Sequence, residues 1–177
     1  GSETVTTVDS ISMRRWQRIE AQINKTGLMS IELINLDNSK DSKLAFVQLD
    51  VAWDLKEQAY VIIAAQRVKG STKNCFNGKI EGPKIYADEQ SIAVWDFSKN
   101  TSSLSVPGIG CPDLMLINAP TRAVTGAMWD ASEMNWQHKP EHYAAIAFHE
   151  DDIYDFNWEP DFSFVIPPKM PSGIYVM

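Results

Sequence analysis

Apolar and polar residues alternate along much of the chain, first where Ile19, Ala21 and Ile23 are interleaved with Arg18, Glu20 and Gln22. Successive side chains of an extended strand point to opposite faces, so this spacing predicts strands with one buried face. Met29, Ile31 and Leu33 against Ser30 and Glu32 predict a second strand, and Ala45, Val47, Leu49 and Val51 a third. Tyr60 to Ala65 is a continuous apolar run of strand length, the pattern of a strand covered on both faces. Later candidates run Ile80 to Tyr86, Ile92 to Phe97, Leu114 to Ile117, Tyr143 to His149 and Asp161 to Ile166. Turn-forming residues punctuate them at Lys25-Thr26-Gly27, Asp37-Asn38-Ser39, Lys69-Gly70-Ser71, Asn77-Gly78, Pro107-Gly108 and Pro167-Pro168. Many short strands with such punctuation predict an all-β fold, a mostly antiparallel sandwich or jelly roll with few short helices. One stretch is ambiguous: Trp16, Ile19 and Ile23 also fit helical spacing behind the caps Asp9 and Ser10, although strand is the preferred reading.

Composition narrows the partners. The chain has 177 residues, 44% of them hydrophobic, enough to bury a core as one domain or as one domain with a packed extension. Its formal net charge of -7 would repel a phosphate backbone and an anionic membrane surface, so neither nucleic acid nor membrane is an expected partner. No apolar run approaches the roughly 20 residues that span a bilayer. Cys75 and Cys111 form no CxxC pair and are read as reduced thiols, which predicts a cytoplasmic location. Gly1-Ser2 reads as a cloning scar, and the apolar ending Ile174-Tyr175-Val176-Met177 suggests a segment cut from a longer polypeptide. The Ser/Asn-rich stretch Lys99 to Pro107 is the nearest thing to a joint, dividing a lectin-like strand region, 3–98, from a continuing β segment, 99–177, that completes or extends it.

Longer motifs carry a resemblance. Cys75-Phe76-Asn77-Gly78-Lys79-Ile80-Glu81-Gly82-Pro83-Lys84-Ile85-Tyr86 resembles a stretch near the end of laminin-G-like, concanavalin A-like sandwiches. There Asn77-Gly78 is read as a positive-φ hairpin turn, with Ile80 and Ile85 reaching the core. Trp95-Asp96-Phe97-Ser98 is followed in order by Asn118-Ala119-Pro120-Thr121-Arg122-Ala123-Val124-Thr125-Gly126, Trp129, Pro140-Glu141-His142-Tyr143-Ala144-Ala145-Ile146 and Phe148-His149-Glu150-Asp151-Asp152-Ile153. Trp158-Glu159, Asp161-Phe162 and Pro171-Ser172-Gly173-Ile174-Tyr175 close the series. The ordered set, from Trp95 to Tyr175, resembles the part of N,N-dimethylformamidase large subunits that leads from a lectin-like sandwich into the catalytic domain.

That resemblance implies a parent that hydrolyses N,N-dimethylformamide, or a related small amide, to dimethylamine and formate. It also implies a mononuclear iron held by two tyrosines and a glutamate in the domain that follows. None of those ligand motifs matches here, so no catalytic, cofactor-binding or metal-binding residue is carried over, and no cofactor is expected within the segment. Two departures stand out. Few residues precede the strand containing Trp16, where a complete laminin-G-like sandwich has several strands, and Ala147 stands where the family pattern favours histidine.

Read without the resemblance, the densest set of hard oxygen ligands is Glu150, Asp151, Asp152 and Asp155. Calcium takes about six to eight oxygens, but the spacing is not that of an EF-hand loop, and a solvated acidic turn is the simpler reading. His138, His142 and His149 invite a transition-metal reading, against which Pro140 interrupts any shared helical face. No GxSxG nucleophile elbow is present. The 6 tryptophans suit core packing, each burying about 150–250 Å², while Trp129 and Trp136, flanked by polar residues, are the candidates for ligand stacking or an interface. Arg122 is expected to pair with the acidic segment near Asp151. These readings converge on a non-catalytic accessory β-sandwich of an amidohydrolase large subunit, partnered by the remainder of its own chain and a small subunit. The alternative is a lectin-like module that binds carbohydrate.

Overall fold

The computed structural model describes residues 11–37, 42–49, 60–150 and 157–175. Strands β1 (Gln17–Ile23), β2 (Leu28–Asn35) and β3 (Ser42–Gln48) form an antiparallel meander in that order. The alternative helix over Trp16–Ile23 loses because every residue of β1 has a partner on β2, from Gln17 opposite Asn35 to Ile23 opposite Met29. Ile19 faces Leu33, Ala21 faces Ile31, and Ile31 faces Ala45, so the predicted apolar residues share one face. Asn24 and Gly27 make the β1–β2 turn. Asn24 Oδ1 accepts from the backbone N–H of Thr26 at 3.0 Å and of Leu28 at 2.9 Å, while Gly27, at φ +82°, takes a conformation that a Cβ disfavours.

The rest of the described chain is built from short strands. β4 (Gln66–Val68) pairs with β5 (Ser71–Lys73), while β6 (Gly78–Glu81) and β7 (Lys84–Ala87) enter different sheets. β7 joins β8 (Gln90–Trp95) and β10 (Gly108–Ile109); β9 (Ser105–Val106) pairs with β11 (Leu114–Met115); β12 (Thr121–Val124), β13 (Ala145–Phe148) and β6 form a sheet with β13 in the middle. All these pairings are antiparallel. A 3-10 helix, Pro140–Tyr143, precedes β13. Ala93, Trp95, Phe97, Val106 and Ile146 form one buried cluster to which all three of these sheets contribute, with Ile80, Ile85 and Phe148 packed against it. The indole N–H of Trp95 donates to the Pro112 carbonyl at 2.9 Å, which satisfies the polar atom of that buried ring. β6 and β13 lie on opposite sides of the Lys99–Pro107 stretch in sequence and pair directly.

Four local expectations are corrected. Tyr60–Ala65 is not a strand: Tyr60, Val61 and Ile62 are exposed, Ala64 adopts φ +66°, and its carbonyl accepts from Phe76 N rather than from a neighbouring strand. Asp161–Ile166 also forms no strand, because no edge among the described residues pairs with it. The expected strand Ile80–Tyr86 is divided at Gly82, φ +52°, and Pro83, whose missing N–H cannot continue a ladder. That corner carries the chain from one sheet to the other. Asn77-Gly78 is therefore not the turn: neither residue has positive φ, and Gly78 already pairs opposite Phe148. Val51, Asp9, Ser10 and Asn38-Ser39 lie outside the described residues.

Candidate functional site

The β12–β13–β6 sheet supports the most densely bonded polar region among the described residues. Lys79 and Glu81, two apart on β6, share a face, and their cross-strand partners on β13 are Ala147 and Ala145. Both partners are alanine, which leaves the two longer side chains room to cross the middle strand. Lys79 Nζ reaches Thr125, donating to Oγ1 at 2.7 Å and to the carbonyl at 3.2 Å. Glu81 Oε2 accepts from Ala127 N at 2.6 Å. Gly126 fits between these contacts because it has no side chain: a Cβ there would stand 2.5 Å from Glu81 Oε2. Its N–H donates to the His142 carbonyl at 2.8 Å, closing the loop 126–142 on itself.

Within this loop, carboxylates organise the backbone. Asp130 Oδ1 accepts from Ser132 N at 2.9 Å, and Lys139 Nζ lies 3.1 Å from Ser132 Oγ and 3.9 Å from Asp130 Oδ2. His142 is 3% exposed, and its Nδ1 stands 3.4 Å from Asp130 Oδ1, an ion-pair distance without hydrogen-bond alignment. The Ser132 hydrogen bonds, with smaller help from the charges of Lys139 and His142, lower the Asp130 pKa to about 2. Glu133 is built alike. It accepts from Asn135 N at 2.8 Å, lies 3.2 Å from His138 Nδ1, and its carboxyl is held below the ordinary range chiefly by the Asn135 N–H and then by His138. Tyr143 OH donates to the Glu133 carbonyl at 2.8 Å, anchoring the loop to a buried ring. The loop so fixed holds Trp129 and Trp136, each 39% exposed, although Trp158 is more open at 81%.

Beside this sheet, at the Gly82-Pro83 corner, a shallow cleft of about 300 Å³ lies over the buried Trp95 and Phe97, with Glu81, Lys84 and Asp96 in its wall. Two of its carboxylates already have partners: Glu81 accepts from Ala127, and Asp96 Oδ1 accepts from Ser98 N at 2.9 Å and Ser98 Oγ at 2.6 Å.

The other sequence candidates fall in different places. Glu150 is exposed, and Asp151, Asp152 and Asp155 lie outside the described residues. Among the described residues Arg122 pairs with no carboxylate, and the segment at Asp151 lies outside them. One terminal nitrogen donates to the carbonyls of Phe97 at 3.2 Å and Lys99 at 2.7 Å, the other to that of Ser103 at 3.1 Å, and burial lowers the guanidinium pKa. Arg122 therefore clasps the 97–105 connection, because that connection directs several backbone carbonyls at one point. His138 and His142 face different carboxylates rather than one centre, and no three His, Cys, Asp or Glu side chains among the described residues are grouped to hold a metal ion. Sequence reasoning missed Lys79 and Glu81. The available signal was a Lys-x-Glu pair on one strand and an Ala-x-Ala pair on another.

Residues 121–177 match the family described as N,N-dimethylformamidase beta subunit-like, C-terminal. Over that stretch the chain is similar to N,N-dimethylformamidase beta subunits. The beta subunit of Paracoccus aminophilus is 32% identical over 58% of this chain, and that of an Alcaligenes species 34% identical over the same share. The chain spans 17% of the length of each of these relatives. The beta-subunit match includes the whole loop 126–143 and the strands β12 and β13 that flank it. No helix among the described residues is long and apolar enough to cross a membrane.

Proposed function

We propose that this chain is a non-catalytic accessory domain of an N,N-dimethylformamidase-like amidohydrolase large subunit, a sandwich of the concanavalin A-like class. Its role is to pack against the catalytic part of that subunit or against a neighbouring subunit. The observation that carries this reading is the stretch 161–166. Phe162, Phe164 and Ile166 alternate as they would in a strand, are 66%, 56% and 73% exposed, and make no backbone hydrogen bond among the described residues. An extended segment with apolar side chains and free backbone groups suits addition to a sheet edge supplied from outside. Leu44 and Phe46, 62% and 70% exposed, add apolar surface of the kind that marks contact with another domain.

In this reading the hydrolysis of a small N-substituted formamide, and the iron that supports it, belong to the rest of the parent polypeptide. Asp130 and Glu133 hold loop backbone, which is a positioning task. The test is release of dimethylamine and formate from N,N-dimethylformamide by this chain supplied with ferrous iron, with the Paracoccus aminophilus enzyme run alongside. No release above buffer is expected. Sustained turnover by the chain alone would falsify the assignment.

A further inference from the structure

Asn77 and Gly78 stand together at the head of β6, outside any turn. The Asn77 side chain is exposed and makes no hydrogen bond among the described residues. The next residue has no Cβ, so nothing on it shields its amide nitrogen from the Asn77 side chain. Other described asparagines lack this combination. Asn24 Oδ1 accepts from Thr26 and Leu28, Asn74 Nδ2 donates to Gln66, and Asn35 and Asn135 accept from Asp37 and Gln137. Asn100 and Asn118 are followed by Thr101 and Ala119, whose side chains crowd the attacking nitrogen.

We infer that Asn77-Gly78 is a site of covalent self-modification, at which the Gly78 amide nitrogen attacks the side-chain carbonyl of Asn77. The new bond joins Gly78 N to Asn77 Cγ. The Cγ–Nδ2 bond breaks, the Gly78 amide proton passes to the departing nitrogen or to solvent base, and ammonia leaves a cyclic imide. Water then opens the imide at either carbonyl, giving aspartate or an isoaspartyl linkage. No electron is gained or lost, and water is the sole co-reactant.

The product has a consequence in the fold. A new carboxylate two residues before Lys79 competes for the ammonium that now donates to Thr125, and the isoaspartyl form adds a methylene to the backbone entering β6. Either change loosens the tether that holds the start of the 126–143 loop.

The test is timed incubation of the chain in mildly alkaline buffer, followed by tryptic mass spectrometry of the peptide 74–79 and enzymatic methylation of isoaspartate. The expected result is a gain of about one dalton localised by fragmentation to residue 77, in two isomers and ahead of every other asparagine. Asn77→Gln abolishes that gain; it is the better control because a Cβ at Gly78 would stand 2.7 Å from the Phe76 ring. An unreacted Asn77 in the folded chain while the denatured chain reacts, or earlier reaction at Asn100 or Asn118, overturns the inference. Asn77→Asp should speed hydrogen exchange at the Ala127 amide relative to wild type, and unchanged exchange refutes the loosened tether.

Discussion

Single side chains in this molecule do their work by holding backbone. Asp130 is the plainest case, since its low pKa comes first from hydrogen bonds donated by Ser132 and only then from positive neighbours. A carboxyl held below its ordinary 3.8 stabilises the fold above that value, and the contribution is lost as pH falls towards about 2. NMR titration of the Asp130 carboxyl carbon should therefore give a midpoint near 2, and Ser132→Ala should move it upward; a midpoint at the ordinary value would remove the proposed bonding. Arg122 acts on carbonyls instead of N–H groups. Its planar fork can satisfy the separate acceptors of Phe97, Lys99 and Ser103, which a lysine ammonium on one stem cannot reach together. Arg122→Lys is expected to cost about 1–3 kcal/mol in urea unfolding, with the largest gain in hydrogen exchange at 97–105. Loss confined to remote strands would contradict the clasp.

At the scale of elements, what was legible in the sequence and what was not divide along one physical line. Period-two alternation identified β1, β2, β3 and β8 because each has an apolar face and a neighbour within the described chain. Tyr60–Ala65 and Asp161–Ile166 have equally good strand composition and form no strand. Whether an extended segment becomes a strand depends on a hydrogen-bonding partner, and its own residues do not record the partner's location. The Lys79 and Glu81 tether was illegible for a related reason. It depends on β13 standing between β6 and β12, a strand order that no local pattern reveals. That order makes Ala145 decisive, since it is fully buried and lies opposite Glu81. Ala145→Leu should cost about 1–3 kcal/mol through overpacking and displace the Glu81 carboxylate from Ala127 N. Glu81→Gln keeps the shape while weakening a charge-assisted bond. Both variants should accelerate Ala127 amide exchange, whereas β1–β3 exchange stays as in wild type.

Over the whole molecule, burial is uneven in a way that has a mechanical consequence. The cluster of Ala93, Trp95, Phe97, Val106 and Ile146 draws on the sheets between β6 and β13, while the β1–β2–β3 meander buries Leu33, Ile34 and Leu49 and shares no strand pairing with those sheets. Cooperative unfolding requires that loss of one region expose apolar surface in the other. Here the two regions have separate ladders, and the strongest packing is confined to one of them. Ile146→Ala, at a position with no solvent exposure, is expected to cost about 2–5 kcal/mol by removing buried methyl groups and leaving a cavity. That loss should appear as faster amide exchange throughout β6–β13 with little change in β1–β3. If the meander lost protection by the same factor, the two regions would be one cooperative unit, and the loop carried by the β12–β13–β6 sheet would depend on the entire described fold.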